Sequence, residues 1–186
     1  MRGCCSRWRS PPLLRPVRRQ GSTGILFIES DVADYQQLAA GAGPDLEVVL
    51  LDARADGLRQ MADALAGRND ISAIHPISHG APGALALGSL TLDRLALRER
   101  GADLARIRGA VGRGIDLLLY GCEVAQGDKG QEFMALLAVA TGARVAASSN
   151  LTGDSAQGGD WLLERRTGAL RSAELAFPSI ATCGLP

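Results

Sequence analysis

Two short motifs contain a histidine and a cysteine, the residue types that thiol-based nucleophilic catalysis requires. One is the Ser-His-Gly motif around His79, the other is the Tyr-Gly-Cys motif that ends at Cys122, and each follows an apolar run. A cysteine thiolate is a strong nucleophile, and a neighbouring imidazole can take up and return a proton during the reaction. The two residues therefore predict a catalytic dyad, provided that the fold brings them together.

Both residues also have a purely structural interpretation. Free cysteine is commonly a small buried apolar residue, and reactivity requires an exposed, electropositive setting. Glu123 follows Cys122 directly and would oppose thiolate formation if its carboxylate faced the sulfur. The sequence leaves the structural interpretation open beside the catalytic one.

Runs of aliphatic residues indicate strands that are buried on both faces of a sheet. Four such runs alternate with segments of helical spacing, at residues 24–28, 46–51, 71–77 and 115–120. Two further strands are predicted at residues 143–148 and 161–164. The alternation predicts an α/β fold with a doubly wound parallel sheet, whose strand carboxyl ends gather ligands and catalytic groups.

Capping residues and glycines predict the remaining elements. Asp31 and Asp56 are predicted N-caps of the first two helices. Further helices are predicted at residues 93–97, at 104–111 and from about residue 129 onwards. Two apolar stretches on either side of Gly88 predict a small hairpin at the edge of the sheet.

Charge is distributed unevenly along the chain. Residues 1–20 hold six arginines and no acid, which leaves the other residues with a net charge of −6. The Arg- and Pro-rich leader is predicted to be disordered, with a nucleic-acid contact, a membrane contact or a misplaced start codon as alternatives. The leader does not fit the pattern of a secretory signal peptide or of a membrane span. It therefore does not indicate a localisation, which is unknown from these residues. No basic stripe with interleaved aromatics occurs, and we expect no nucleic-acid partner.

No motif for a cofactor or a metal is found. The turn at residues 29–31 lacks the glycines of a dinucleotide or phosphate loop. Cys4, Cys5, Cys122 and Cys183 show neither CxxC spacing nor a zinc-type cluster. We therefore expect no cofactor and no metal, and the spacing does not fit a disulfide framework either.

A Gly-rich segment at residues 150–160 follows the strand predicted next to the active edge, where loops can shape a specificity pocket. Asp154 or Asp160 could bind a basic side chain of a substrate there. Aspartate is more often a solvated turn residue, and that interpretation is the stronger one. The segment lacks the regular carboxylate spacing of a calcium site.

The order of these motifs resembles that of the caspase, gingipain and legumain group of cysteine peptidases, clan CD. The shared pattern is an apolar strand ending in Ser-His-Gly, a hairpin, and an apolar strand ending in Gly-Cys. His79 and Cys122 lie 43 residues apart, near the roughly 50 of caspases, although the caspase Q-A-C sequence is absent. The resemblance implies a caspase-like three-layer sandwich, a mostly parallel sheet with helices on both faces. It also implies that Cys122 attacks a peptide carbonyl and that the amides of Gly80 and Cys122 form an oxyanion hole.

A narrower resemblance is to an uncharacterised bacterial domain found at the amino end of large exported adhesins with cadherin-like or calcium-binding repeats. It covers about residues 24–170 and is carried by residues 77–88, 118–125 and 158–161. It implies an exported or cell-surface protein. Its partner would be a polypeptide substrate or the remainder of a surface-protein assembly.

The predicted organisation is a leader at residues 1–22, a caspase-like α/β domain at 23–172 and a C-terminal tail at 173–186. The favoured function is that of a cysteine endopeptidase or self-processing module with a His79/Cys122 dyad. Two alternatives are a non-catalytic peptidase-like binding or assembly module, and a plain doubly wound domain in which Cys122 is a core residue.

Overall fold

The computed structural model of the chain describes residues 23–111 and 114–177, and the predicted leader and the last residues of the predicted tail lie outside these ranges. Strands and helices alternate along the described part. In chain order they are β1 (Thr23–Glu29), α1 (Tyr35–Ala40), β2 (Leu46–Leu51), α2 (Gly57–Ala64), β3 (Ile71–Ile77), β4 (Gly80–Ala81), β5 (Ala84–Leu87), β6 (Leu90–Leu92), α3 (Arg94–Glu99), α4 (Gly101–Val111), β7 (Asp116–Leu119), α5 (Gly127–Thr141), β8 (Arg144–Ala147) and β9 (Arg165–Arg166). A short 3₁₀ turn at Ser155–Gln157 lies between β8 and β9.

The main sheet has six strands in the order β2-β1-β3-β7-β8-β9. The first five are parallel to one another, and β9 pairs antiparallel with β8. The long aliphatic runs form β1, β2, β3, β7 and β8, as predicted, because strands buried on both faces have no polar side to alternate with. The structure confirms the predicted α/β class and a mostly parallel sheet with helices, and is consistent with a caspase-like sandwich.

Two apolar layers cover the two faces of the sheet. Ile25 and Phe27 of β1 point into the layer beneath α2, α3, α4 and α5. Leu26 and Ile28 point to the opposite face, where they join Leu38 of α1 and residues of the C-terminal segment. Each large side chain buried in this way contributes roughly 1.5–3 kcal/mol relative to exposure. The sheet is therefore a rigid platform for the residues at its edge.

Strands β4, β5 and β6 form a separate antiparallel sheet, here called the hairpin sheet. The sequence predicted two of these strands, and the structure adds β4, which begins one residue after His79. Asp56 caps α2 as predicted, since its Oδ1 accepts the N–H of Arg59 at 3.0 Å. The hairpin sheet thus continues directly from the candidate histidine.

One predicted strand and two predicted helix starts are wrong. Residues 161–164 form no strand: Trp161 and Leu163 pack into the apolar layer on the α1 face, while the β9 pairing falls on the two arginines after them. An apolar pattern reports burial, which a segment lying across a sheet achieves without ladder hydrogen bonds. The N-cap of α1 is Asp34 and not Asp31. Helix α5 begins at Gly127, two to three residues earlier than predicted.

The segment after β9 packs on the same face. Phe177 lies edge-on to Trp161, with ring centroids 5.0 Å apart, and the N–H of Leu175 donates to the Tyr120 hydroxyl at 2.6 Å. Contacts to the core therefore extend past residue 172. The domain boundary predicted at that residue stays a prediction. None of the helices in the described part of the chain has the length and apolar character that a membrane crossing requires.

Candidate functional site

The register of two neighbouring strands places the candidate dyad at one level of the sheet edge. Ile77, the last residue of β3, forms a parallel bridge with Tyr120, which follows β7. The N–H of Ser78 donates to the Tyr120 carbonyl at 3.0 Å and continues the pairing. Two residues beyond the bridge on each side stand His79 and Cys122. The fold thus brings the two residues of the predicted dyad to adjacent strand ends.

The backbones that follow the two strands are in contact. A Cβ on Gly80 would lie 2.6 Å from the Cys122 carbonyl oxygen and 2.8 Å from the carbonyl carbon of Gly121. Both distances are far shorter than van der Waals contact, so only glycine fits at position 80. The glycine after the histidine is therefore required by the close approach of the Gly121–Cys122 turn.

The hairpin sheet fixes the backbone of His79. The N–H of Ala86 donates to the His79 carbonyl at 2.9 Å, and the Ser78 hydroxyl donates to the Ala86 carbonyl. On the other side, the N–H of Gly83 donates to the Val124 carbonyl at 3.0 Å. The hairpin sheet therefore binds both the histidine segment and the segment that follows the cysteine.

Cys122 lies in an enclosed environment. It is 8% exposed, and its Sγ accepts the N–H of Thr152 at 3.4 Å. Cys122 is disulfide-bonded in this structure, which contradicts the expectation that the cysteines form no disulfide framework. The other cysteines, Cys4, Cys5 and Cys183, fall outside the described residues. Spacing along the chain could not reveal this pairing, because disulfides join residues by their distance in space.

Glu123 adopts a left-handed backbone conformation, with φ of +60°. Such a conformation is uncommon for a residue with a Cβ and is found at tight turns and functional sites. Its N–H donates to the Asn150 carbonyl at 2.7 Å, and its carboxylate accepts the side-chain amide of Gln126 at 3.0 Å. The turn after Cys122 is therefore sharp, and it is tied to the loop that follows β8.

The loop after β8 uses its carboxylates to stabilise itself. Asp160 accepts the side-chain amide of Asn150 at 3.0 Å with one oxygen and the N–H of Leu162 at 2.8 Å with the other. Asp154 accepts the N–H of Ala156 at 2.9 Å and caps the 3₁₀ turn. These are the contacts of turn residues. A role of either aspartate in substrate binding stays a prediction.

Glu29 is a chemically distinctive residue at this edge that sequence reasoning did not select. Ile28 of β1 is in register with Ile77 of β3, so Glu29 stands level with Ser78. Its side chain is 1% exposed, and its carboxylate accepts the N–H of Gly88. Burial raises the pKa of Glu29 to about 7, with a further contribution from the Asp31 charge, although the Gly88 N–H acts in the opposite direction. The available signal was an acid at the end of an apolar strand.

His75 is a core residue and does not belong to the site. It lies on β3, is 3% exposed, and stacks on the Tyr120 ring with centroids 6.2 Å apart. Burial lowers its pKa to about 4, although the Asp116 charge acts in the opposite direction. The ring is therefore neutral at neutral pH. Within residues 23–111 and 114–177, no three His, Cys, Asp or Glu side chains come together as a metal-binding group.

A comparison with protein families matches a family model to residues 25–183 of this chain. The model is described as a domain of unknown function, DUF4347, and its description names no activity. Because the match spans most of the 186 residues, the chain belongs to this family. No curated protein matches the chain.

Proposed function

For this member of the DUF4347 family we propose the function of a cysteine endopeptidase or self-processing module in which His79 and Cys122 form the catalytic dyad. The observation that carries the proposal is the parallel register of Ile77 with Tyr120, which brings the backbones of His79 and Cys122 to one level just past the ends of neighbouring strands. Since Cys122 is disulfide-bonded in this structure, the proposal concerns the protein after reduction of that bond.

The reaction proceeds in two steps. The Cys122 thiolate attacks the carbonyl carbon of a peptide bond, the carbon–nitrogen bond breaks, and the His79 imidazolium gives its proton to the leaving amine. The product of this step is a thioester on Cys122. Neutral His79 then takes a proton from a water molecule, whose oxygen attacks the thioester and releases the carboxylic acid and the thiolate.

Two features of the site support a stabilised thiolate and oxyanion. The Thr152 amide already donates to Cys122 Sγ, and a hydrogen bond to the charged form of a thiol favours that form. The amides of Gly80 and Cys122 belong to two backbone segments in direct contact, and the resemblance to the peptidase group implies that both donate to one carbonyl oxygen of the substrate. Such donors are each worth roughly 10²–10³ in rate in an acyl-transfer enzyme.

The substrate class is a polypeptide. The resemblance to the amino-terminal domains of exported adhesins extends the proposal to a component of a bacterial surface-protein assembly, whose other parts are then the substrate. Asp154 and Asp160 are candidate residues for binding a basic side chain of the substrate, in addition to the hydrogen bonds that they accept within their own loop.

An activity assay on the reduced protein tests this function. The wild-type chain is treated with a reductant and incubated with denatured casein, beside the variants Cys122→Ser, His79→Ala and the control Cys4→Ser. We expect cleavage by the wild type and the control, and a loss of at least about a hundredfold in the two dyad variants. Undiminished cleavage by Cys122→Ser would exclude the dyad.

A second candidate function is a non-catalytic binding or assembly module. The burial of Cys122 and its disulfide bond favour it, because buried and oxidised cysteines are chemically inert. In this case the reduced and folded wild type cleaves nothing, and Cys122→Ser lowers stability as the loss of a disulfide does, by about 2–5 kcal/mol.

A further inference from the structure

The carboxyl group of Glu29 is buried and only partly satisfied. One oxygen, Oε1, accepts the N–H of Gly88, while Oε2 has no hydrogen-bond partner among the described residues. A buried carboxylate oxygen without a donor is costly, whereas a protonated carboxyl can donate from that oxygen. The Gly88 N–H alone would favour the ionised form, but the loss of solvation on burial outweighs it, so the environment of Glu29 favours its protonated form.

Gly88 lies at the turn between β5 and β6 of the hairpin sheet and is held on several sides. Its φ is +60°, and a Cβ there would lie 1.9 Å from the Ala55 carbonyl oxygen. It also forms a bridge with Asp56. Glu29 thus accepts a hydrogen bond from a sterically constrained position of the hairpin sheet, which only glycine can occupy.

The hairpin sheet connects this turn to the candidate site. Its strand β5 holds the His79 carbonyl through Ala86, and the turn before β5 holds Val124 through Gly83. Residues 80–92 contain no charged or titratable side chain. Any titration that changes the stability of the hairpin sheet must therefore occur on a residue outside the sheet, such as Glu29.

We propose that Glu29 is a positioning residue that anchors the hairpin sheet in a proton-dependent way: the hairpin sheet can close over a buried, protonated carboxyl at the Gly88 turn, whereas ionisation of Glu29, whose charge is desolvated there, loosens the hairpin sheet. The effect on His79 and Cys122 rests on the proposed function, whereas the anchoring itself does not.

The charges around Glu29 determine which protonation state stabilises the contact with Gly88. Asp31, two residues along the chain, raises the pKa of Glu29 in addition to the larger effect of burial. A protonated Glu29 can donate to the Asp31 carboxylate, and two ionised groups there repel each other. Among the acids around Gly88, Asp52 accepts the N–H of Arg54 at 2.9 Å and Asp56 pairs with Arg100. The Arg100 guanidinium is therefore paired with Asp56 and does not neutralise Glu29.

The sign of the pH dependence follows from the two pKa values. In the closed state the pKa of Glu29 is raised by burial to about 7, and after opening the exposed carboxyl regains its ordinary value of 4.5. Opening therefore releases a proton between these values. The population of the open state grows by at most about tenfold per pH unit between pH 5 and pH 7 and levels off above pH 7.

Amide hydrogen exchange measures this opening directly. Protection factors for peptides covering residues 80–92 are compared from pH 5 to pH 8, after correction for intrinsic exchange rates, with helix α5 as the internal reference. For the wild type we expect protection of the hairpin sheet to fall about fortyfold between pH 5 and pH 7. In Glu29→Gln, whose amide can accept from Gly88 and donate to Asp31 at every pH, protection should stay constant.

The variant Asp31→Asn keeps Glu29 and provides a second measurement should Glu29→Gln fold poorly. Removal of the like charge lowers the pKa of Glu29, so the total loss of protection becomes smaller than in the wild type. The proposal is overturned if wild-type protection does not change with pH, or if Glu29→Gln shows the same change as the wild type.

The exchange experiment is carried out in the Cys122→Ser background as well, where no peptidase activity is possible. A pH-dependent hairpin sheet in a protein that cleaves nothing would leave the anchor intact and reject the proposed function alone. Where the protein does cleave, the ratio of kcat/KM for Glu29→Gln to that of the wild type should be higher at pH 7.5 than at pH 5.5.

Discussion

Replacement of His75 should change how the stability of the protein depends on pH. Burial lowers the pKa of His75 to about 4 in the folded state, with Asp116 opposing the shift, against an ordinary value of 6.5. The unfolded chain therefore binds the proton first as the pH falls. The contribution of His75 is fully present above pH 6.5 and is lost between pH 6.5 and pH 4, by up to about 3 kcal/mol.

Glu29 acts in the opposite direction over nearly the same range. Because burial and the Asp31 charge raise its pKa to about 7 from an ordinary 4.5, the folded state binds the proton first. Its contribution is fully present below pH 4.5 and is lost as the pH rises to 7, again by up to about 3 kcal/mol. Between pH 4.5 and pH 6.5 the two contributions offset each other in the wild type.

Urea unfolding at pH 4.5, 5.5 and 6.5 separates them. We expect a small slope of the free energy of unfolding for the wild type. In Glu29→Gln only the His75 contribution remains, so the free energy of unfolding of this variant rises with pH by about 2 kcal/mol over this range. His75→Gln should show a fall of similar size, and the double variant should resemble the wild type in slope.

The comparison of slopes cancels groups that the variants share. Burial alone would raise the pKa of Asp116, but the N–H groups of Arg171 and Ser172 and the Arg144 side chain lower it below the ordinary 3.8. Asp116 therefore titrates below the measured range. A slope for Glu29→Gln that is equal to or lower than the slope for His75→Gln would refute the reasoning.

Three further substitutions have expected outcomes. Gly80→Ala places a Cβ 2.6 Å from the Cys122 carbonyl oxygen, and we expect a loss of about 1–3 kcal/mol in urea unfolding. Asp116→Asn leaves Arg144, which it contacts at 2.6 Å, without its counter-ion and should cost about 3 kcal/mol in the same assay, whereas an unchanged midpoint would show that the pair contributes nothing. Tyr120→Phe removes the acceptor of the Leu175 N–H at 2.6 Å and should cost about 1–2 kcal/mol, with protection of the Leu175 amide lost in hydrogen exchange.

The sequence was sufficient to predict the sheet, because unbroken aliphatic runs such as residues 24–28 and 71–77 have few folded alternatives to a buried parallel strand. It was not sufficient at the last predicted strand. Trp161 and Leu163 are as buried as strand residues, yet they cover the sheet instead of extending it. Burial and hydrogen-bond pairing are separate properties. The order of apolar residues in the sequence indicates burial, but it does not indicate which strand a segment pairs with.

The candidate site shows the same limit. Topology alone brings the ends of β3 and β7 together, so the neighbourhood of His79 and Cys122 was predictable. The importance of Glu29 depends on Gly88, 59 residues away, and the disulfide of Cys122 likewise depends on long-range contacts. Such contacts carry no local signature in the sequence.

The most direct test of the proposed dyad is the pH dependence of Cys122 alkylation. The reduced wild type and His79→Ala are treated with iodoacetamide over a range of pH, and the modified cysteines are mapped, with Cys4 as the internal comparison. The proposal predicts selective alkylation of Cys122 well below the unperturbed thiol pKa of about 8.5, and loss of that selectivity in His79→Ala. Reactivity of Cys122 equal to or below that of Cys4 in the folded, reduced wild type would contradict it.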